Sequence, residues 1–168
     1  MPNAPLRVLF LCTANSARSQ IAEALLQHKA PDRFTVASAG ITPAERVDPR
    51  VITLLGHMGI EWSNRVPKGL DAVVGQVWDI IITTCDKGRE SCPSFPGQPV
   101  YAHWSVPDPA AATGDRDEAF NDAIRLLSWR IDLMLTVRVD NIGRRGVGET
   151  LRRVGALSPD PQSSPSSG

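Results

Sequence analysis

Cys12 and Arg18 sit in the segment Cys12-Thr13-Ala14-Asn15-Ser16-Ala17-Arg18-Ser19, which follows directly on the apolar run Leu6-Arg7-Val8-Leu9-Phe10-Leu11. A strand that ends in a short loop and then opens a helix aims several backbone N–H groups at one spot, where the helix dipole also favours negative charge. Such a loop binds oxyanions, and the same field favours the thiolate form of a cysteine placed in it. The spacing combines a sulfur nucleophile at Cys12, an anion cradle from Thr13 through Ala14, Asn15, Ser16, Ala17 and Ser19, and a planar bidentate clamp at Arg18. A nucleophile that binds tetrahedral anions serves hydrolysis and reduction equally well.

Two more thiols follow. Cys85 comes straight after Asp79-Ile80-Ile81-Ile82-Thr83-Thr84, so it and Cys12 both fall at carboxyl ends of predicted strands. Cys92 lies beyond the polar Asp86-Lys87-Gly88-Arg89-Glu90-Ser91, which reads as a loop able to change shape, and Pro93 stops any helix there. Closing Cys85 on Cys92 needs Cα atoms within about 7 Å and so a local rearrangement. The arrangement suits a relay in which each new thiolate attacks the sulfur of the previous bond. Two other uses compete with it: inert burial of the thiols, and zinc held by Cys85, Cys92 and His103. The zinc reading has a wider thiol spacing than usual and lacks a fourth ligand.

Asp108 lies in Val106-Pro107-Asp108-Pro109-Ala110, just after the last predicted strand and on the same sheet edge. A carboxyl there serves as general acid for a leaving oxygen, or only as a turn residue ahead of Pro109. His103 and Trp104 read as strand-end packing, and Asp115 and Asp117 as helix-start residues.

The elements that must position these groups are short. Phe34–Ser38, Asp79–Thr84 and Pro99–Trp104 read as buried strands beside the first apolar run. Between and after them lie helical patterns. One is capped by Ser16 or Asn15 and ends before Pro31, one runs from Pro49 to Gly59, and one from about Asp115 to Val139. Strands alternating with helices predict an α/β fold, a parallel sheet covered on both faces, with ligands at the carboxyl ends of its strands. Residues 1–139 make one domain, 140–157 a basic extension with helical pattern and solvated charges, and 158–168 a Ser/Pro-rich disordered tail.

Of 168 residues, 18 Lys+Arg balance 18 Asp+Glu. That balance argues against a nucleic-acid or anionic-membrane surface, so any anion selectivity is local. Without a secretory start or a long apolar stretch, the expected setting is the cytoplasm, as a monomer. In a reducing compartment three cysteines are catalytic, metal-binding or buried rather than paired.

With these residues in place, the chain resembles the thioredoxin-coupled arsenate reductases that share the low-molecular-weight protein tyrosine phosphatase fold. The likeness runs from Arg7 to about Leu135. It is carried by Val8–Thr13 with Asn15-Ser16 and Arg18-Ser19-Gln20, by Ala22-Glu23-Ala24, Ser38-Ala39-Gly40, Cys85, Cys92-Pro93 with Phe95-Pro96, and His103-Trp104 with Asp108-Pro109-Ala110. The resemblance implies a single three-layer domain whose four-stranded parallel sheet is flanked by helices. It implies that Cys12 attacks arsenate, with phosphate and sulfate as oxyanion analogues, while Ser19 supports the thiolate, Asn15 holds the loop and Asp108 donates a proton. Cys85 then resolves Cys12, Cys92 resolves Cys85, and thioredoxin reduces the last disulfide, with no metal or organic cofactor.

Ala17 stands where some relatives carry an additional cysteine. Val66 and Lys68 replace oxygen groups that hold potassium in others, and the Lys68 ammonium is expected beside Glu23 instead. A phosphatase acting on phosphotyrosine or a small phosphoester is the first rival. It needs neither Cys85 nor Cys92, and such enzymes commonly have tyrosines where this chain has Ala110-Ala111-Ala112. A non-catalytic oxyanion sensor, and a reductase served by glutathione, mycothiol or glutaredoxin, are further alternatives.

Overall fold

The computed structural model describes residues 4–139 and 142–159. Strands β1 (Leu6–Cys12), β2 (Phe34–Gly40), β3 (Ile80–Thr83) and β4 (Val100–His103) form one sheet in the order β2-β1-β3-β4. All neighbours are parallel, which demands crossovers too long for hairpins. Helices α1 (Arg18–Lys29), α2 (Pro49–His57) and α3 (Asp86–Glu90) lie in those crossovers, and α4 (Arg116–Thr136) and α5 (Gly143–Gly155) follow β4.

Side chains alternate across the sheet as its pleat requires. Val8, Phe10, Ile80, Ile82, Val100 and Ala102 enter the larger core with α1, α2, α4 and α5. Leu9, Leu11 and Ile81 face a smaller core closed by Val73, Trp78 and Phe95. Both faces are covered, as predicted, but the long helices share one of them. On the other, the segment after β3 forms only the five-residue α3, which contributes no large apolar side chain.

Helix α1 is buried continuously from Ser19 to Leu26, so its polar residues Ser19, Gln20 and Glu23 must find partners inside. Its N-cap is Ala17 without a side-chain bond. The predicted cap from Ser16 or Asn15 does not form, because the Asn15 side chain is committed deeper in the protein. Helix α2 begins as expected, with Pro49 in the first turn and the Asp48 carboxylate accepting from the Arg50 N–H. Helix α4 ends at Thr136, short of the predicted Val139, where Arg33 donates to the Leu135 and Val137 carbonyls and satisfies the frayed end.

The basic segment after residue 142 is helical, and its apolar side belongs to the main core through Val147, Leu151 and Val154, while Arg144, Arg145, Arg152 and Arg153 stay exposed. Helix α5 lies against the edge strand β4, where the Trp104 indole N–H donates to the Leu151 carbonyl at 2.9 Å. Most of the tail predicted to be disordered, residues 160–168, is outside the described residues. Among those described, no helix is long and apolar enough to cross a membrane.

Candidate active site

Beyond β1 the chain turns through Thr13–Ala17 into α1. The carbonyls of Cys12, Thr13, Ala14 and Ser16 face outward and accept from the N–H groups of Ile41, Thr42, Ala44 and Asp48 at 2.8–3.0 Å. Among the described residues, the N–H groups of Thr13, Ala14, Ser16, Ala17 and Arg18 meet no protein acceptor. This is the arrangement of an anion cradle. Asn15 takes a left-handed backbone (φ 53°), which asparagine tolerates, and its N–H donates to Cys12 Sγ at 3.2 Å. Gly40 presses on the loop from behind, since a Cβ there would lie 2.6 Å from Thr13 O and 2.8 Å from Asn15 N.

Cys12 is only 2 % exposed and lies 2.8 Å from Ser19 Oγ. The Asn15 amide donates from Nδ2 to Ser19 Oγ at 2.8 Å and to Ser38 Oγ at 2.9 Å, and the Ser38 hydroxyl donates to Glu23 Oε1 at 2.6 Å. Ser19 Oγ accepts from Asn15 and keeps its own hydrogen available to donate to a Cys12 thiolate. The amide's orientation follows from its other end, where Oδ1 accepts from Gln20 Nε2 and from the Lys68 N–H.

Burial raises the pKa of Glu23, opposed by the Ser38 hydroxyl and by the charges of Lys68 and Arg65. The cation in contact is Arg65, whose Nη1 lies 3.5 Å from Glu23 Oε2 while its guanidinium stacks on Trp62. Lys68, the residue expected there, acts on the carboxylate without making that pair.

Cys85 ends up beside the loop. Its Sγ lies 3.2 Å from Thr13 Oγ1 and accepts from the Gly88 N–H at 3.2 Å, so Cys85 caps α3. A Cβ on Gly88 would lie 3.2 Å from Cys85 Sγ and 3.5 Å from Cys12 Cα, so the first turn of α3 packs closely on both cysteines. The segment predicted as a loop is this helix, with half-buried Cys92 beyond its far end against the smaller core. Burial pushes the Cys92 thiol up. At about 1.5 Å per residue, the helix separates Cys85 from Cys92 by roughly 10 Å.

Asp108 takes the turn position that the sequence allowed and also faces Arg18. One carboxylate oxygen accepts from the Ala110 N–H at 3.0 Å and holds the turn, and the other lies 3.8 Å from Arg18 Nη2. Arg18 Nη1 also donates to Val106 O at 3.2 Å. His103 closes the end of β4, with Nδ1 2.7 Å from Thr83 Oγ1 and Nε2 3.3 Å from Asp86 Oδ1 without hydrogen-bond alignment. Among the described residues no three His, Cys, Asp or Glu side chains converge on a metal site, so Cys85, Cys92 and His103 do not form the zinc set. Ser38, Gly40 and Arg65 were not foreseen as site residues on physical grounds. The signal for Ser38 and Gly40 was the Ser-Ala-Gly ending of a strand that runs beside β1, and none pointed to Arg65.

The family model of the low molecular weight phosphotyrosine protein phosphatases matches residues 7–142. The chain belongs to that family. Within it, the chain is 34% identical over 120 residues to an arsenate reductase of Bacillus subtilis (strain 168), covering 70% of this chain and 86% of that one. Among solved structures it is similar to an arsenate reductase of Archaeoglobus fulgidus, with a TM-score of 0.59, 31% identity, and coverage of 74% of this chain and 98% of that one. A thioredoxin-dependent arsenate reductase of Corynebacterium glutamicum gives a TM-score of 0.59 and 34% identity, covering 79% of this chain and 65% of that one.

Proposed function

We infer that this phosphatase-family chain reduces arsenate to arsenite through Cys12, Cys85 and Cys92 and is regenerated by thioredoxin. The observation that carries the reading is the second thiol: Cys85 sits against the anion loop, bonded to Thr13, where a hydrolase needs only Cys12. Arsenate binds the loop amides and Arg18. The Cys12 thiolate forms a sulfur–arsenic bond as an oxygen leaves as water, protonated by Asp108. The Cys85 thiolate then attacks the Cys12 sulfur, the sulfur–arsenic bonding pair stays on arsenic, and arsenite departs with a Cys12–Cys85 disulfide left behind. Cys92 attacks Cys85 and frees the Cys12 thiolate, which requires α3 to unwind, and thioredoxin reduces the resulting Cys85–Cys92 disulfide. The relatives named as arsenate reductases support the substrate, and the Corynebacterium glutamicum protein supports the reductant.

Phosphoester hydrolysis is the second reading, favoured by the family itself and by the shared set Cys12, Arg18 and Asp108. Arsenate-dependent NADPH oxidation with thioredoxin and thioredoxin reductase separates the two. Cys12→Ser, Cys85→Ser and Cys92→Ser are each expected to abolish turnover. Undiminished turnover in the Cys92 variant overturns the thioredoxin relay, and an inactive parent that hydrolyses aryl phosphates efficiently replaces reduction by hydrolysis.

A further inference from the structure

Arg130, in the middle of α4, is a buried cation that the chemistry above does not use. It is 6 % exposed. Its Nη1 donates to Ser105 O at 2.9 Å, and Nε and Nη2 donate to Leu157 O at 3.4 and 3.2 Å. Among the described residues no carboxylate pairs with it, so a charge has been taken out of water to satisfy carbonyls alone. An apolar side chain of similar volume would cost less. The guanidinium must therefore be judged by what its carbonyls hold.

Ser105 and Val106 link β4 to Asp108. The inner side of this link is tied to the sheet, with Trp104 N–H donating to Thr83 O and Val106 N–H to Thr84 O. Two arginines take its next two carbonyls, Arg130 that of Ser105 and Arg18 that of Val106. Arg18 is also the residue that faces a bound oxyanion, whereas Arg130 stays out of the cradle and holds the strand exit whatever the loop contains. Its other anchor, Leu157 O, lies just past the end of α5, where the last carbonyls of a helix have no N–H partner and favour a cation.

We propose that Arg130 is a positioning residue for Asp108, fixing the approach of the acid to the leaving oxygen by bracing Ser105 against the end of α5. The proposal rests on the general-acid reading of Asp108. It predicts a loss in the chemical step with anion binding intact.

The test is single-turnover formation of the Cys12–Cys85 disulfide in the full chain carrying Cys92→Ser, followed by arsenate-dependent loss of thiols. Arg130→Met is expected to lower the rate at saturating arsenate by about tenfold while half-saturation moves less than about twofold, and Arg130→Lys to recover part of the rate. In an Asp108→Asn background, already slow, Arg130→Met is expected to add nothing, since an absent acid cannot be misplaced. A full multiplicative effect in that background, or an unchanged rate in the single variant, overturns the proposal. If Asp108→Asn alone matches the parent, the acid reading falls, and this one with it. Should Arg130→Met fail to fold, Arg130→Lys decides, because a parent-like rate with one ammonium reaching one carbonyl contradicts the two-anchor brace.

Discussion

Arg65 Nη1 stands 3.5 Å from Glu23 Oε2, and from that carboxylate a chain of hydrogen bonds runs through Ser38, Asn15 and Ser19 to the Cys12 sulfur. A half-exposed arginine is thus the outer end of a network whose inner end is the nucleophile. Burial holds the folded Glu23 carboxyl above its ordinary 4.5. The folded state therefore keeps that proton more tightly than the unfolded chain, and stability falls as pH rises from below 4.5 through the folded value.

Arg65 opposes this loss, so Arg65→Leu lifts the folded value further. The expected cost at neutral pH is about 0.5–1 kcal/mol, moderated by solvent around the guanidinium. It fades below pH 4.5, where Glu23 is protonated folded or unfolded. Urea denaturation near pH 7 and pH 4 checks the sign. An equal loss at both would assign the contribution of Arg65 to its stacking on Trp62 instead.

Gly40→Ala places a methyl group 2.6 Å from Thr13 O and 2.8 Å from Asn15 N, both backbone atoms of the anion loop. Neither can rotate away, so the loop must shift. We expect phosphate binding to weaken by at least about tenfold and stability to fall by about 1–3 kcal/mol. Calorimetric titration with phosphate and thermal unfolding measure the two. Parent-like affinity would mean that the loop tolerates displacement and that Gly40 serves only the pairing of β2.

What the sequence made legible was contiguous or placed by topology. The loop from Cys12 to Arg18 is one stretch of chain, and Cys85 and Asp108 each follow a strand whose apolar run marks where it ends. Contacts made when distant loops meet were not legible. Arg65 reaches Glu23 while stacked on Trp62, and Arg130 joins Ser105 to Leu157, two carbonyls far apart in the chain. Helix α3 escaped notice because five residues are too few for a periodic pattern, and its start depends on the Cys85 sulfur as cap. Asn15 looked like a helix cap by type, yet its amide is spent between Ser19 and Ser38.

Cys92 carries a pH prediction. Burial raises its thiol above the ordinary 9.0, so the folded, reduced protein presents a neutral thiol at neutral pH. In the Cys12→Ser/Cys85→Ser background, iodoacetamide labelling of Cys92 is expected to rise about tenfold per pH unit from pH 7 to 9 without levelling. Mass spectrometry of the labelled peptide reads the rate. A plateau below pH 8 would show that the half-buried site does not favour the neutral form.

Two glycines of the same helix should respond in opposite directions. At Gly155 a Cβ would lie 2.3 Å from His103 O and 2.6 Å from Trp104 Cδ1, so alanine drives α5 off the edge of β4. Its displacement also disturbs the Trp104 bond to Leu151 O and the Arg130 brace on Leu157 O. Gly155→Ala is therefore expected to destabilise by about 2–3 kcal/mol. At Gly148, inside the helix, the nearest atoms to a Cβ are the guanidinium end of Arg152 at 2.9 and 3.1 Å, and that flexible group, held by an exposed hydrogen bond to Tyr101 O, can swing toward solvent at small cost. Relief of the glycine's backbone entropy then dominates, and Gly148→Ala should stabilise by about 0.5–1 kcal/mol. Urea denaturation of both variants beside the parent decides the matter. If Gly155→Ala is as stable as the parent, α5 does not depend on this close approach, and β4 must keep its edge covered by the apolar contacts of Val147, Leu151 and Val154 alone.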